Sequence, residues 1–186
     1  MIKLHDDIFL FEKILTEEII EEGLKIVSGE SKQSYGIEEG SHFFNLINDL
    51  WFKKIEDPLH EEYFRLVPLP AETIKALREF TKTDWRDLFF LRYYPENTQE
   101  LSTYVHADFS TWTFSACFVN SEEYEGGSLC FPRQGVKKKL DRGDVVVFPG
   151  GLTHLHYTEN IQEGERIVLV GQSMPYKQDH RLGKPL

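Results

Sequence analysis

The chain has 186 residues and a 40% hydrophobic content, enough for one domain with a sizeable core and not the composition of a disordered chain. A formal net charge of −10 makes nucleic acid an unexpected partner, because phosphate binding needs clustered Lys and Arg. The two cysteines, Cys117 and Cys130, lie in apolar runs and read as buried thiols, not as a disulfide framework.

Acids stand at Asp6 and Asp7, where a signal peptide would have its apolar segment, and no apolar run is long enough to span a bilayer. The expectation is a soluble protein of a reducing, cytoplasmic compartment with no membrane partner. Residues 8–15 are apolar-rich and read as a short strand. Thr16 then reads as a helix N-cap, with Glu17 and Glu18 in a first turn where acids suit the macrodipole. Ile19, Ile20, Leu24 and Val27 recur at helical spacing, and Gly29 ends the run. Residues 41–54 predict a second helix and residues 71–80 a third, with Pro68 and Pro70 between them.

The pattern changes near Trp85. Short β-type runs follow at 88–94, 101–108, 112–119, 127–131, 145–148, 155–158 and 167–170, separated by turn-forming Gly, Pro, Asn and Asp. Lys137, Lys138 and Lys139 read as a solvated turn. Helices first and strands after predict an α+β domain, with helices bracing one face of a sandwich or jelly roll. The division expected is helical support over 1–84, a β core over 85–175 and a tail over 176–186. No P-loop, G-x-G-x-x-G, G-x-S-x-G or C-x-x-C motif is present, which removes the common nucleotide-binding, hydrolase and zinc-ribbon readings.

The chemistry concentrates around His106 and Asp108. Two apart on a strand, an imidazole and a carboxylate leave the same face. A second imidazole would complete the 2-His-1-carboxylate set of non-haem Fe(II) oxygenases, which leaves open coordination positions. Either His154 or His156, beyond Pro149-Gly150-Gly151, can supply it, the other being a satisfied strand histidine or a group hydrogen-bonded to a ligand. Arg166 alternates with Val168 and Val170, and a guanidinium directed into an apolar strand face requires an anion, which it grips through two parallel hydrogen bonds.

From about residue 91 to 174 the chain resembles the Fe(II)/2-oxoglutarate-dependent dioxygenase superfamily, and most its prolyl 4-hydroxylase-like branch. The resemblance is carried by Tyr93-Tyr94-Pro95, Tyr104-Val105-His106-Ala107-Asp108, Glu125-Gly126-Gly127-Ser128-Leu129, Arg142-Gly143-Asp144 with Val145 to Pro149, Thr153-His154 and Gly164-Glu165-Arg166. It implies a double-stranded β-helix holding iron between two sheets. On these matches His106, Asp108 and His154 are the metal ligands, His154 fitting better than His156. Arg166 binds the far carboxylate of 2-oxoglutarate, and Tyr94 lies in the cosubstrate pocket. Phe118 stands near where some relatives carry a tyrosine that helps grip that carboxylate, so Tyr94, Tyr104 or Thr113 would take its part.

The implied activity is hydroxylation of an unactivated C–H with Fe(II), 2-oxoglutarate, O2 and ascorbate (vitamin C) as reductant. The leading substrate is a prolyl residue in a peptide or protein, followed by a free amino acid or other small molecule. Walls for it are expected from 96–101, 109–112 and 121–125, with Trp112 and Tyr104 available to stack on a ring. Readings from other classes are a non-catalytic metal-binding β-barrel module and a metal-free acidic interaction domain.

Overall fold

The computed structural model describes residues 1–28, 34–65, 70–73, 83–97 and 104–175. A hairpin of β1 (Ile2–His5) and β2 (Ile8–Phe11) is followed by helix α1 (Glu17–Ser28) and strand β3 (Ser34–Gly36). Next come α2 (His42–Leu50), a π turn (Trp51–Ile55) and α3 (Glu56–Arg65). The remaining strands are β4 (Thr83–Tyr93), β5 (Trp112–Cys117), β6 (Tyr124–Gly126), β7 (Leu129–Phe131), β8 (Val136–Lys138), β9 (Val145–Pro149), β10 (Tyr157–Thr158), β11 (Ile161–Gly164) and β12 (Arg166–Pro175). The domain is α+β, as expected. Among the described residues no helix is long and apolar enough to cross a membrane.

Seven strands form one antiparallel sheet in the order β1-β2-β9-β5-β12-β4-β3. A three-stranded sheet, β10-β7-β8, and the pair β11-β6 complete the β structure. The first third of the chain is therefore more than helical support, because it supplies β1, β2 and β3 to the large sheet.

Side-chain alternation divides the core in two. Phe9 and Phe11 of β2, Val145 and Val147 of β9, and Ile167 and Leu169 of β12 point to the outer face. There they meet Ile19, Ile20 and Val27 of α1, Phe43 and Ile47 of α2, and Trp51. Ile8 and Leu10, Val146 and Phe148, and Val168 point inward, toward Tyr124, Leu129, Phe131 and Ile161 of the smaller sheets. With both faces covered, β2 and β9 read in sequence as unbroken apolar runs.

The first two helices start where their caps predict. Thr16 Oγ1 accepts from Ile19 N–H at 3.3 Å, and Ser41 Oγ accepts from Phe44 N–H at 3.2 Å. The second helical segment does not stop at Lys54. It passes through the π turn, where Glu56 N–H bonds Trp51 O, and continues as α3, which buries Leu59. Pro58 reads as a breaker but stands in the first turn of α3, just after the π turn.

Of the third expected helix, residues 71–73 are helical and 74–80 lie outside the described residues, as do 98–103 and the 176–186 tail. The lysine triplet is not a turn. Lys137 and Lys138 are in β8, Lys137 pairs with Glu159 at 2.7 Å, and Lys139 Nζ donates to Tyr124 O. Both cysteines are buried free thiols, as expected.

Candidate metal centre and anion anchor

A cavity of about 300 Å³ lies between the inner face of the large sheet and strands β7 and β10. His106, Asp108, His156 and Arg166 all line it. Its remaining wall includes Phe89, Leu91 and Tyr93 of β4, Leu129 of β7 and Phe148 of β9.

His106, Asp108 and His156 present donor atoms within 4.8 Å of one another. The pairing of His106 with Asp108 was expected from a continuous strand, but the segment is irregular. What holds it is an isolated antiparallel bridge, in which His106 N–H donates to His156 O at 3.0 Å and His156 N–H to His106 O at 2.9 Å. The two imidazoles are thereby fixed opposite each other, with ring centres 4.4 Å apart.

Each ring is oriented by a backbone carbonyl. His106 Nδ1 lies 3.0 Å from Tyr104 O, and His156 Nδ1 lies 3.0 Å from His154 O. A carbonyl only accepts, so each Nδ1 donates a proton to it, and in the neutral imidazole the lone pair then lies on Nε2. Those two Nε2 atoms face the carboxylate of Asp108 at 3.8 and 3.6 Å. Burial against Phe131 and Phe148 pushes the His156 pKa down, favouring the neutral imidazole that a metal requires. Asp108 Oδ2 accepts from Thr113 Oγ1 at 2.8 Å, and Thr113 Oγ1 is 2.7 Å from Ser110 Oγ, so a hydroxyl relay orients the carboxylate.

Of the two histidines considered for the second imidazole, His154 was the expected one, but the structure groups His156 with His106 and Asp108. His154 closes a 3-10 turn (Leu152–His154), and β10 begins only at Tyr157, so the two histidines do not share a strand face. The turn directs the His154 ring toward the β1–β2 connection, where its Nε2 lies 3.0 Å from Asp7 Oδ1.

Arg166 lies at the other end of the cavity, 1% exposed. Its Nε and Nη2 are buried without a hydrogen-bond partner. Its guanidinium carbon sits 5.4 Å from the centre of the Tyr93 ring, and its stem packs with Tyr124 around Gly127. A buried guanidinium with two unpartnered nitrogens in a walled cavity is suited to receive an anion. Burial pushes the Tyr124 pKa up, so beside Arg166 it remains a neutral hydroxyl, which donates to Leu140 O at 2.5 Å.

Tyr94, expected in the cosubstrate pocket, is not among the residues lining this cavity, and its neighbour Tyr93 is. Phe89, Leu91 and Tyr93 share the inner face of β4, whereas half-buried Tyr94 follows the strand end and donates its N–H to Asn97 Oδ1. Of the hydroxyls considered for the carboxylate, Tyr104 is 79% exposed and Thr113 is committed to Asp108. Ser115 and Thr158 also line the cavity. Tyr93 stood in the Tyr93-Tyr94-Pro95 motif without a role of its own; Tyr124, Ser110, Ser115 and Thr158 were not singled out from the sequence, although Tyr124 directly precedes the Glu125-Gly126-Gly127 motif.

Of the expected walls, Phe109 is exposed beside Asp108, while Trp112 is buried in the outer core. The 121–125 segment is tied to Asp141 through Ser121 N–H and does not line the cavity. The 96–101 segment is described only at 96–97.

No family model matches the chain. A PKHD-type hydroxylase of Prochlorococcus marinus is 36% identical over 77 residues, 40% of this chain and 34% of that protein. The chain thus covers about a third of the length of that curated relative. The fold is shared with a viral collagen prolyl hydroxylase from Paramecium Bursaria Chlorella virus-1, at TM-score 0.65 and 17% identity over 91% of this chain and 90% of that one. It is also shared with a prolyl hydroxylase of Trichoplax adhaerens solved with a hypoxia inducible factor peptide fragment, at TM-score 0.60 and 13% identity over 97% and 88%. The likeness in sequence is thus to a hydroxylase over part of its length, and the likeness in fold is to prolyl hydroxylases.

Proposed function

We propose, from this likeness to the Fe(II)/2-oxoglutarate oxygenases, that the chain is a dioxygenase hydroxylating an unactivated C–H. The observation that carries the reading is the joint lining of one cavity by a His-Asp-His cluster and by a buried guanidinium with two unpartnered nitrogens. In this reading His106, Asp108 and His156 hold Fe(II), and Arg166 receives the far carboxylate of 2-oxoglutarate. The donor set fits: two neutral imidazole nitrogens and one carboxylate suit ferrous iron and leave positions open. Bound there, Fe(II) with 2-oxoglutarate and O2 supplies oxidative decarboxylation coupled to hydroxylation, with ascorbate as reductant.

The chain's own part is positioning. The carbonyls of Tyr104 and His154 fix the tautomer of each imidazole, and Thr113 fixes the carboxylate. Leu91, Leu129, Phe148 and Val170 wall the cavity against water. The large sheet and the smaller β7/β10 and β6/β11 pairs would be the two halves of a double-stranded β-helix, with residues 85–175 as its core. Tyr104, Phe109 and Leu152, each within two residues of His106, Asp108 or His154 in the chain, expose apolar side chains suited to a peptide presenting a prolyl residue. A free amino acid or other small molecule is the alternative. A purely structural metal module is disfavoured, because it has no use for Arg166 in the same cavity.

The test is an anaerobic titration with Fe(II) and 2-oxoglutarate, following the visible charge-transfer band of the chelate. Wild type gives the band, and His106→Ala, Asp108→Ala and His156→Ala lose it. Arg166→Met requires at least about tenfold more 2-oxoglutarate, because a charge-assisted pair is lost. A wild type without the band overturns the reading. Incubation of the loaded protein with prolyl peptide or free proline, read by mass for a gained oxygen, then separates the substrate classes.

A further inference from the structure

His154, though not in the donor cluster, is 4% exposed and has two contacts that connect otherwise distant parts of the fold. Its carbonyl accepts from His156 Nδ1, the bond that sets which nitrogen of His156 faces the carboxylate. Its ring lies between Thr153 Oγ1, 3.0 Å from Nδ1, and Asp7 Oδ1, 3.0 Å from Nε2. The Asp7 contact is at ion-pair distance without hydrogen-bond alignment, since Nε2 has no hydrogen-bond partner. Asp7 occupies the two-residue connection between β1 and β2, so it reaches the site from the first residues of the chain. Within the 3-10 turn, His154 N–H donates to Gly151 O, and Gly151 N–H donates to Asp108 O at 2.7 Å. One short segment therefore touches His156, the backbone of Asp108 and the amino-terminal hairpin.

We propose that Asp7 and His154 form a latch that positions His156: the hairpin holds the His154 side chain, and the His154 carbonyl holds the imidazole at the metal centre. Asp7 and His154 are positioning residues, acting through His156 without contacting the metal. This rests on the metal-site reading above. Partners of metal-ligating histidines influence affinity by tenfold or more when removed. Freed from Asp7, the His154 turn shifts its carbonyl, and the His156 ring loses its fixed orientation.

The experiment titrates Co(II) into the metal-free protein under anaerobic conditions, following the visible d–d absorption, and measures the Tm of the metal-free form in parallel. Asp7→Asn and His154→Gln are compared with wild type and with Asp6→Asn. Asp6 shares the hairpin turn but is turned to solvent, against Lys3. The expected result is a roughly tenfold weaker Co(II) Kd and an altered spectrum in Asp7→Asn and His154→Gln, with wild-type Kd in Asp6→Asn. A merely structural role would lower Tm and leave Kd unchanged. Kd within twofold of wild type in both latch variants overturns the proposal. A His154→Gln that binds no Co(II) while His156→Gln binds normally overturns both the latch and the ligand assignment. Absence of Co(II) absorption in wild type removes the metal site itself.

Discussion

Arg166 shows how closely one residue's surroundings are packed. Gly127, at φ +66, packs on its stem, and a Cβ there would lie 3.1 Å from Arg166 Cδ and 2.5 Å from Ile161 Cδ1. Gly127→Ala therefore combines a left-handed backbone penalty of about 1–2 kcal/mol with a clash against the anchor. The expected outcome is a lower Tm together with a higher 2-oxoglutarate concentration at half-saturation of the chelate band. A variant with lowered Tm but unchanged half-saturation would separate Gly127 from the anchor. The direction of Arg166 was legible in the sequence because alternation with Val168 and Val170 carries through a regular strand. The choice between His154 and His156, and between Tyr93 and Tyr94, was not. Each depends on where a strand starts or stops to within one or two residues, and side-chain direction reverses with each step.

Helix α1 is set against the sheet by Gly23, where a Cβ would lie 2.4 Å from Phe118 Cε1 and 2.9 Å from Phe90 Cζ. Those rings already touch, 5.0 Å apart at near-right angles. Alanine in a helix gains about 1 kcal/mol over glycine, whereas overpacking a core costs about 1–3 kcal/mol. We expect the packing cost to win, so Gly23→Ala lowers stability in urea unfolding. A rise in the midpoint would mean that the aromatic layer yields. Helix periodicity made α1 and the start of α2 readable in advance, and apolar runs marked β2, β5 and β9. Helix α3 was hidden because its sequence is polar and contains Pro58, and its place depends on the helical segment continuing through the π turn. The strand expected over 101–108 failed for the opposite reason, since among its described residues only the single bridge at His106 is β structure.

At the scale of the molecule, the amino-terminal segment is fastened to the β core by charge as well as by the sheet. Lys13 Nζ is 2.5 Å from Asp141 Oδ2, Lys13 N–H donates to Asp144 Oδ1, and Ser121 N–H donates to Asp141 Oδ1. The hydrogen bond from Lys13, then that from Ser121, holds the Asp141 carboxyl well below the usual carboxylate range. A carboxyl depressed in the folded state stabilises above its unfolded pKa of about 4, and that contribution is lost as pH falls toward the folded value. Asp141 is about a third exposed, so the effect is moderated by solvent. Between pH 5 and 3 the Tm of wild type should fall more steeply than that of Asp141→Asn, measured by calorimetry. Parallel slopes would place the acid sensitivity elsewhere.

The two ends of the cavity differ in how their backbone is secured. From Val168 onward β12 is laddered to β5 on one side and β4 on the other, whereas His106 and His156 are joined by one isolated bridge. Amide deuterium uptake should record this asymmetry. At 168–170 exchange requires opening of the whole sheet, with or without metal. At His106 and His156 a local fluctuation suffices, and metal loading should slow it. On the proposed reading, an ion would then load and leave by local breathing at one end, while the strand that carries Arg166 keeps its register at the other.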